Sequence, residues 1–295
     1  MLIGRMLFKN ILRHRGRSLL TLLGLVIATL AYGLLSTVVS AWYAGADGAS
    51  SARLITRNSI SLVFTMPISH AERIRQVDGV RSISWASWFG GIYKEPRYFF
   101  PQFAVQAESY LRAYPEYLVP EAERDAFIKD RRSVLIGRKI ADTHGLRVGD
   151  NMLLRGTIYP GDWEFQVAGI YDGKTASTDT AQMFFHWEYL NEEVRRRGLP
   201  RGANNTGVFI VEIAEPGRAA EISTQVDAIF RNSAYETLTE TERAFQLGFV
   251  AMTEAIVVAI RAVSFLVIFI ILAVMANTMT MTARERLAES FEAAL

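Results

Sequence analysis

A chain of 295 residues, half of them hydrophobic, is long enough to bury a core and sets one or two domains as the expectation. Its formal net charge of +2 offers no broad basic field, which argues against a nucleic-acid partner. With no cysteine, disulfides, thiolate chemistry and Cys-based metal sites are excluded together, although a disulfide-free domain can still stand outside a membrane.

Residues 1–17 form a basic leader. On a helical wheel Arg5, Lys9 and Arg13 share one side, while Ile3, Leu7, Phe8, Ile11 and Leu12 gather on the other. That pattern fits a helix lying on a membrane surface with its cations towards anionic headgroups, and it equally fits charges that only set topology. From Ser18 to Ala46 no Asp, Glu, Lys, Arg or His occurs, and the apolar run over 18–43 exceeds the roughly 20 residues that cross a bilayer. It is also far longer than the roughly 7–15 residues of a signal-peptide core, so an uncleaved anchor is expected. A second uncharged run covers 262–283. Arg5, Lys9, Arg13, Arg15, Arg17, Arg284 and Arg286 flank the two runs on one side, against Arg53, Arg57 and Arg261 on the other. This bias predicts that both termini are cytoplasmic and that the chain between the runs lies outside.

The segment 44–238 reads as a mixed α+β domain. "SISLVF" (59–64) is a candidate strand; Pro67 and Ser69 then open a helix with Ala71, Ile74 and Val77 on one face. Asp78-Gly79 turns the chain into a second strand, "VRSISWASWF". A similar order returns at 207–214, "GVFIVEIA", followed by Pro216-Gly217 and a helix carrying Ile222, Val226 and Ile229. Such repeated strand–helix units predict a layered sheet with helices packed on it. Between them, a short helix from Arg138 to His144 is closed by Gly145, Gly149-Asp150 turns into the strand "NMLL", and "YPGD" tips a hairpin returning through "WEFQVAGIY".

No GxxxxGK[ST] or GxGxxG is present, so the chain offers no phosphate cradle. His14, His70, His144 and His186 are scattered and none pairs at metal-ligand spacing. Glu121, Glu123 and Asp125 read as a solvated helix start, and Ser69 lacks the glycines of a nucleophile elbow. No catalytic, cofactor-binding or metal residue is assigned. The aromatic series Trp85, Trp88, Phe89, Tyr93, Tyr98, Phe99 and Phe100 reads mainly as core, with an exposed apolar surface as the alternative. Arg195, Arg196 and Arg197 read as a solvated helix end.

From 239 the chain is read as a stalk helix to 261, with Thr239 and Glu242 as a capping box that starts it near Glu240. Run unbroken to 283 it would reach about 65 Å, roughly twice the hydrocarbon thickness. Residues 284–295 then turn charged, with Arg284, Glu285, Arg286, Leu287 and Glu289 on the inner side. The expected fold class is thus a membrane protein: two transmembrane α-helices flank an extracytoplasmic α+β domain, and the second helix extends outward as a stalk.

Four stretches resemble one family: "RMLFKNILRHRGRSLLTLLGLVIA", "IGRKIADTHGLRVGD" with "FQVAGIYDG", "YETLTETERAF", and "ANTMTMTARERLAE". Together they are similar to the permease subunits of ABC transporters of the macrolide-exporter (MacB), lipoprotein-releasing and FtsX-like type. The resemblance implies an outer domain of the MacB-type periplasmic core, with a mixed α/β part near the membrane and an inserted part. It also implies that ATP-driven motion of a separate cytoplasmic ABC-type ATPase passes up the stalk to the outer domain. Arg284, Glu285, Arg286, Leu287 and Glu289 match the helix that docks on that ATPase. The other partners it implies are a second permease copy or a homologous permease, the lipid bilayer, and a periplasmic adaptor or substrate protein. The location implied is a bacterial inner membrane, and no cofactor is implied. Family members continue through two further spans beyond the position matching Leu295, so the chain is expected to act in a dimer or with that missing half. Two other classes share the layout to residue 283: a membrane-anchored sensor with an outer ligand-binding domain, and an anchored outer-face enzyme.

Overall fold

The computed structural model describes residues 49–199 and 202–248, together with scattered positions between 26 and 37 and between 251 and 281. It divides into two compact units, one of Met1–Tyr43 with Gly248–Leu295 and one of Ala44–Leu247. In the first unit the described positions, 26–27, 29–30, 32–34 and 37 and then thirteen between 251 and 281, are all helical. Their large apolar side chains, among them Ile27, Leu30, Leu34, Val263, Phe265 and Phe269, stand exposed. The rings of Tyr32 and Phe265 lie 6.2 Å apart. Thr37 and Thr280 donate their hydroxyls to the carbonyls of Gly33 and Ala276, each at 2.8 Å, so neither asks for an outside partner. Among the described residues no helix is long and apolar enough to cross a membrane. The expected spans, 18–43 and 262–283, fall largely outside the described residues.

The second unit is built on β1 (Arg53–Asn58), β2 (Met66–Pro67), α1 (His70–Arg75), β3 (Val80–Trp88) and β4 (Gly91–Tyr93). Then come β5 (Gln102–Val105), α2 (Ala107–Ala113), β6 (Tyr117–Leu118), α3 (Glu121–Lys129), β7 (Ser133–Gly137) and α4 (Arg138–His144). The chain continues through β8 (Asn151–Gly156), β9 (Gly161–Gly173), β10 (Met183–His186) and α5 (Trp187–Arg197). It ends with β11 (Asn205–Thr206), β12 (Val208–Ile213), α6 (Ala219–Phe230) and β13 (Thr237–Thr241), after which a helix runs from 242 to 248.

Strands β13-β1-β12-β3 are antiparallel neighbours in that order. With α1 following β1 and α6 following β12, this is a split βαβ arrangement made twice, with the two units interleaved. Both helices lay their apolar stripes on one face of the sheet. Ala71 and Ile74 of α1 and Ile222, Val226 and Phe230 of α6 meet Leu54, Ile83, Phe209 and Val211 there. The outer edge of β13 is closed by a side chain: Asp227 of α6 accepts the Thr239 N–H at 3.0 Å and the hydroxyls of Thr237 and Thr239 at 2.8 and 2.7 Å. An edge strand whose free donors are taken is a poor template for another chain.

Between β3 and β12 the chain makes a long excursion that extends the same sheet through β5-β10-β7-β9-β8-β4. Its centre is buried on both faces. Phe185 of β10 faces α4 and α5 in the cluster with Trp163, Ile140 and Leu190, while Phe184 faces α2 and α3 with Tyr110, Leu135 and Phe127. In β9 the register against β7 shifts between Val134 and Leu135, so Ala168 is an extra residue. Because side chains alternate, one inserted residue exchanges the faces. Trp163, Phe165 and Val167 therefore pack on one side of the sheet and Tyr171 on the other. Glu123 accepts the Ile170 N–H at 2.8 Å beside this bulge, so it is not simply a solvated helix residue.

Several expected elements stand where the sequence puts them. Helix α4 ends at Gly145, whose φ of 66° is the left-handed conformation that Gly adopts without a Cβ penalty. Strands β3 and β12, helices α1 and α6, and the β8–β9 hairpin are likewise present. The strand expected at 59–64 is an irregular loop, and the strand is instead 53–58. The capping box is also corrected. The Thr239 hydroxyl is engaged by Asp227 and Thr56, and it is the Thr241 hydroxyl that accepts the Ala244 N–H at 3.2 Å and opens the helix at 242.

Candidate functional site

Residues 49–53 lie near the start of the second unit and residues 242–247 are its outgoing helix, and the two segments meet. Arg53, the first residue of β1, has a side chain only 5% exposed. Its Nε donates to Glu242 at 2.8 Å, at the first turn of the outgoing helix. Its Nη1 donates to the Ala113 carbonyl at 2.6 Å and to Glu116 at 3.1 Å, and its Nη2 donates to Glu116 at 2.5 Å. Glu242 also accepts the Ser50 N–H at 3.1 Å. A carboxylate at a helix N-terminus is favoured by the helix dipole, so Glu242 is held from two directions.

Burial alone would lower the pKa of Arg53, yet the hydrogen bond with Glu116 and the charge of Glu242 raise it above the ordinary arginine value. The group is a permanent cation. It lies over the ring of Tyr114 at 4.2 Å. Tyr114 stacks in a chain with Tyr110 at 4.5 Å and Tyr117 at 5.6 Å, and Tyr117 with Tyr171 at 4.9 Å. Burial, then nearby charge and phenol groups, push these four hydroxyls above the usual tyrosine range, so they stay protonated. Phe245 of the outgoing helix packs against the same cluster. This arrangement can hold segments together; it contains no nucleophile–base pair. Among the described residues no group of three or more His, Asp or Glu is placed to hold a metal ion.

The histidines are apart. His70 stacks on Phe230 at 4.0 Å, with its Nε2 lacking a hydrogen-bond partner. His144 lies among Tyr93, Tyr98 and Phe100 at 5.2–5.9 Å. His186 meets the Phe127 carbonyl through Nε2 at 2.7 Å. Of the aromatic series, Phe89, Tyr93 and Phe100 are core, Trp85 and Tyr98 are half-buried, and Trp88 and Phe99 are 40% and 58% exposed. The arginine run is only partly solvated: Arg196 and Arg197 clasp the buried Glu193 at 2.7 and 2.6 Å, and Arg197 lies over Trp163 at 4.7 Å. Arg5, Lys9, Arg13, Arg284, Glu285, Arg286, Leu287 and Glu289 all lie outside the described residues.

The junction itself escapes sequence reasoning, because Arg53 and Glu242 are 189 residues apart. The one local signal is an arginine opening the strand, directly before the apolar pair Leu54 and Ile55.

A search of curated proteins finds no match. Among solved structures, the extracellular domain of the noncanonic ABC-type transporter YknZ from Gram-positive bacteria is 11% identical, with a TM-score of 0.46, covering 64% of this chain and 98% of that one. The periplasmic region of MacB from Actinobacillus actinomycetemcomitans is 9% identical, with a TM-score of 0.48, covering 69% and 94%. A domain of a putative permease protein from Porphyromonas gingivalis is 15% identical, with a TM-score of 0.42, covering 64% and 88%. At such scores these likenesses carry no functional inference. The family comparison does: the model of the MacB-like periplasmic core domain matches residues 18–229, well over half of the chain, and the protein belongs to that family.

Proposed function

We propose that the chain is a permease subunit of an ABC transporter in a bacterial cell membrane, passing ATP-driven motion of a separate ATPase to its outer domain. The family match over residues 18–229 carries this reading. In it, residues 18–43 and 262–283 cross the bilayer, 1–17 and 284–295 are cytoplasmic, and 44–241 stand outside, joined to the second span by a stalk at 242–261 that follows β13 instead of beginning at 239. The uncharged runs support the spans, as do exposed apolar side chains such as Leu30 and Phe269, which lipid would cover. Arg284, Glu285, Arg286, Leu287 and Glu289 form the face that docks on the ATPase, and Arg5, Lys9 and Arg13 rest on the inner membrane surface. A second permease copy or a homologue completes the membrane part, and a periplasmic adaptor or substrate protein is the outer partner.

Two measurements test this. The protein has no cysteine, so single cysteines can be labelled without background. Ser177→Cys should react with a membrane-impermeant maleimide in intact cells, and Ser290→Cys only after the membrane is opened. The purified protein should also carry a P-loop ATPase that is lost in the Arg284→Glu/Arg286→Glu variant. Equal labelling of both cysteines would overturn the topology; retention of the ATPase by the variant would overturn the docking face.

A further inference from the structure

The structure assigns to Arg53 the role of a positioning residue: it is the node through which the outgoing helix drives both halves of the outer unit. This inference rests on the transmission reading above.

Arg53 joins three segments with one planar group. Glu242 belongs to the outgoing helix, β1 to the interleaved βαβ half, and Ala113 and Glu116 to the end of α2 in the excursion. Strand β1 is hydrogen-bonded on both sides, to β12 and β13, so a displacement of Arg53 is carried into the middle of the first half's sheet. The excursion meets the outgoing helix through the aromatic cluster, where Phe245 packs, and through Arg53. These two contacts differ in what they can transmit. Apolar contacts are non-directional and let a helix slide or turn at little cost. The guanidinium grips Glu116 through two bonds, which fix distance and orientation together, and holds Glu242 through one bond from Nε. Separating it from Glu242, whose side chain is 5% exposed, would leave a buried charge without its partner. The link to Glu242 therefore resists stretching, as a transmitting joint must. Glu116 is more open, at 26%, but the excursion is held by three bonds, two to Glu116 and one to the Ala113 carbonyl. The Ser50 N–H bond to Glu242 ties the incoming segment to the same point.

The test uses the full chain with its co-purified P-loop ATPase in lipid nanodiscs. A donor dye is placed at Ala244→Cys, on the outgoing helix, or at Ser177→Cys, on the excursion. Energy transfer to headgroup-labelled acceptor lipids reports the position of each dye relative to the membrane. In the otherwise unaltered chain, ATP should change the transfer from both dyes. In Arg53→Lys, which keeps the charge but loses the fork, the change should persist at position 244 and shrink at 177, the continuous sheet through β3 and β5 carrying what remains. In Glu116→Gln, which weakens the arm to the excursion but keeps the Ala113 bond, a smaller loss should appear at 177 with none at 244. Transfer without ATP should match the unaltered chain in both variants, since mere loosening of the excursion would already move the dye at 177. Full retention of the change at 177 in both variants would overturn the node. No change at either dye in the unaltered chain would instead overturn the transmission reading, and this inference with it.

Discussion

Replacing Arg53 with methionine keeps much of the side-chain volume and removes the cation. Glu242, with a side chain 5% exposed, is then left without its ion-pair partner, and the Ala113 carbonyl loses its 2.6 Å donor. Breaking a buried pair from one side costs about 3–5 kcal/mol, because the surviving charge stays desolvated. Glu116, a quarter exposed, turns to water and adds little. For a unit of this size each kcal/mol lowers the melting temperature by roughly 2–4 °C, so Arg53→Met should melt about 6–20 °C lower. Thermal unfolding of the detergent-solubilised chain reads this directly, because Trp85, Trp88, Trp163 and Trp187 all report on the outer unit. The double variant Arg53→Met/Glu242→Met removes both charges and should recover most of the loss, since an apolar pair of similar size often replaces a buried ion pair without penalty. A drop of less than about 1 kcal/mol in the single variant, or a double variant as unstable as the sum of its parts, would refute the claim that Glu242 depends on Arg53.

Three further outcomes are expected. Burial, together with the nearby Arg73, holds the pKa of His70 below its ordinary 6.5, while the Tyr235 backbone opposes the shift. The unfolded chain therefore takes up more protons as pH falls through 6.5, stability declines there, and His70→Gln should flatten that limb of a melting-versus-pH curve. A residual slope in the same window belongs to His144, lowered by burial and Lys94, whereas Asp172, held low by Arg138, acts only below its ordinary 3.8. Trp163→Ala empties a fully buried site between Phe89 and Tyr189 and abolishes the indole bond to the Tyr159 carbonyl; urea unfolding should show a loss of about 3–5 kcal/mol. Asp227→Ala frees the outer edge of β13 and should cost about 1–3 kcal/mol, with concentration-dependent self-association visible by light scattering.

What was legible in the sequence was local. The αL glycine at 145 and the helix before it, the Asp78-Gly79 turn into β3, and the Pro-Gly start of α6 all carry their signals within a few residues. Strand β1 was misplaced because "RLITRN" looks polar, and only partners far along the chain make Arg53 and Arg57 acceptable in a sheet. Strands β5 and β10, "QFAV" and "MFFH", are short and covered on both faces, so they show no alternation to recognise. The Ala168 bulge hides in a run that reads as a regular strand. The junction is the sharpest case: its chemistry is built from positions separated by 63 and 189 residues.

The strand order has a consequence for how the outer unit comes into being. Strand β1 leaves first in any export that begins at the N-terminus, yet its two sheet partners are β12 and β13, which begin at Val208 and Thr237. Until those residues emerge, β1 is a strand with both edges open. The excursion between β3 and β12 can pair its own strands in the meantime, so it is the half able to form first. Contacts of such long sequence separation slow folding and lengthen the exposure of sticky intermediates. Arg53 would then spend that interval as a solvated cation at the head of β1, a gatekeeper against premature association, and become a joint only when the last strand closes.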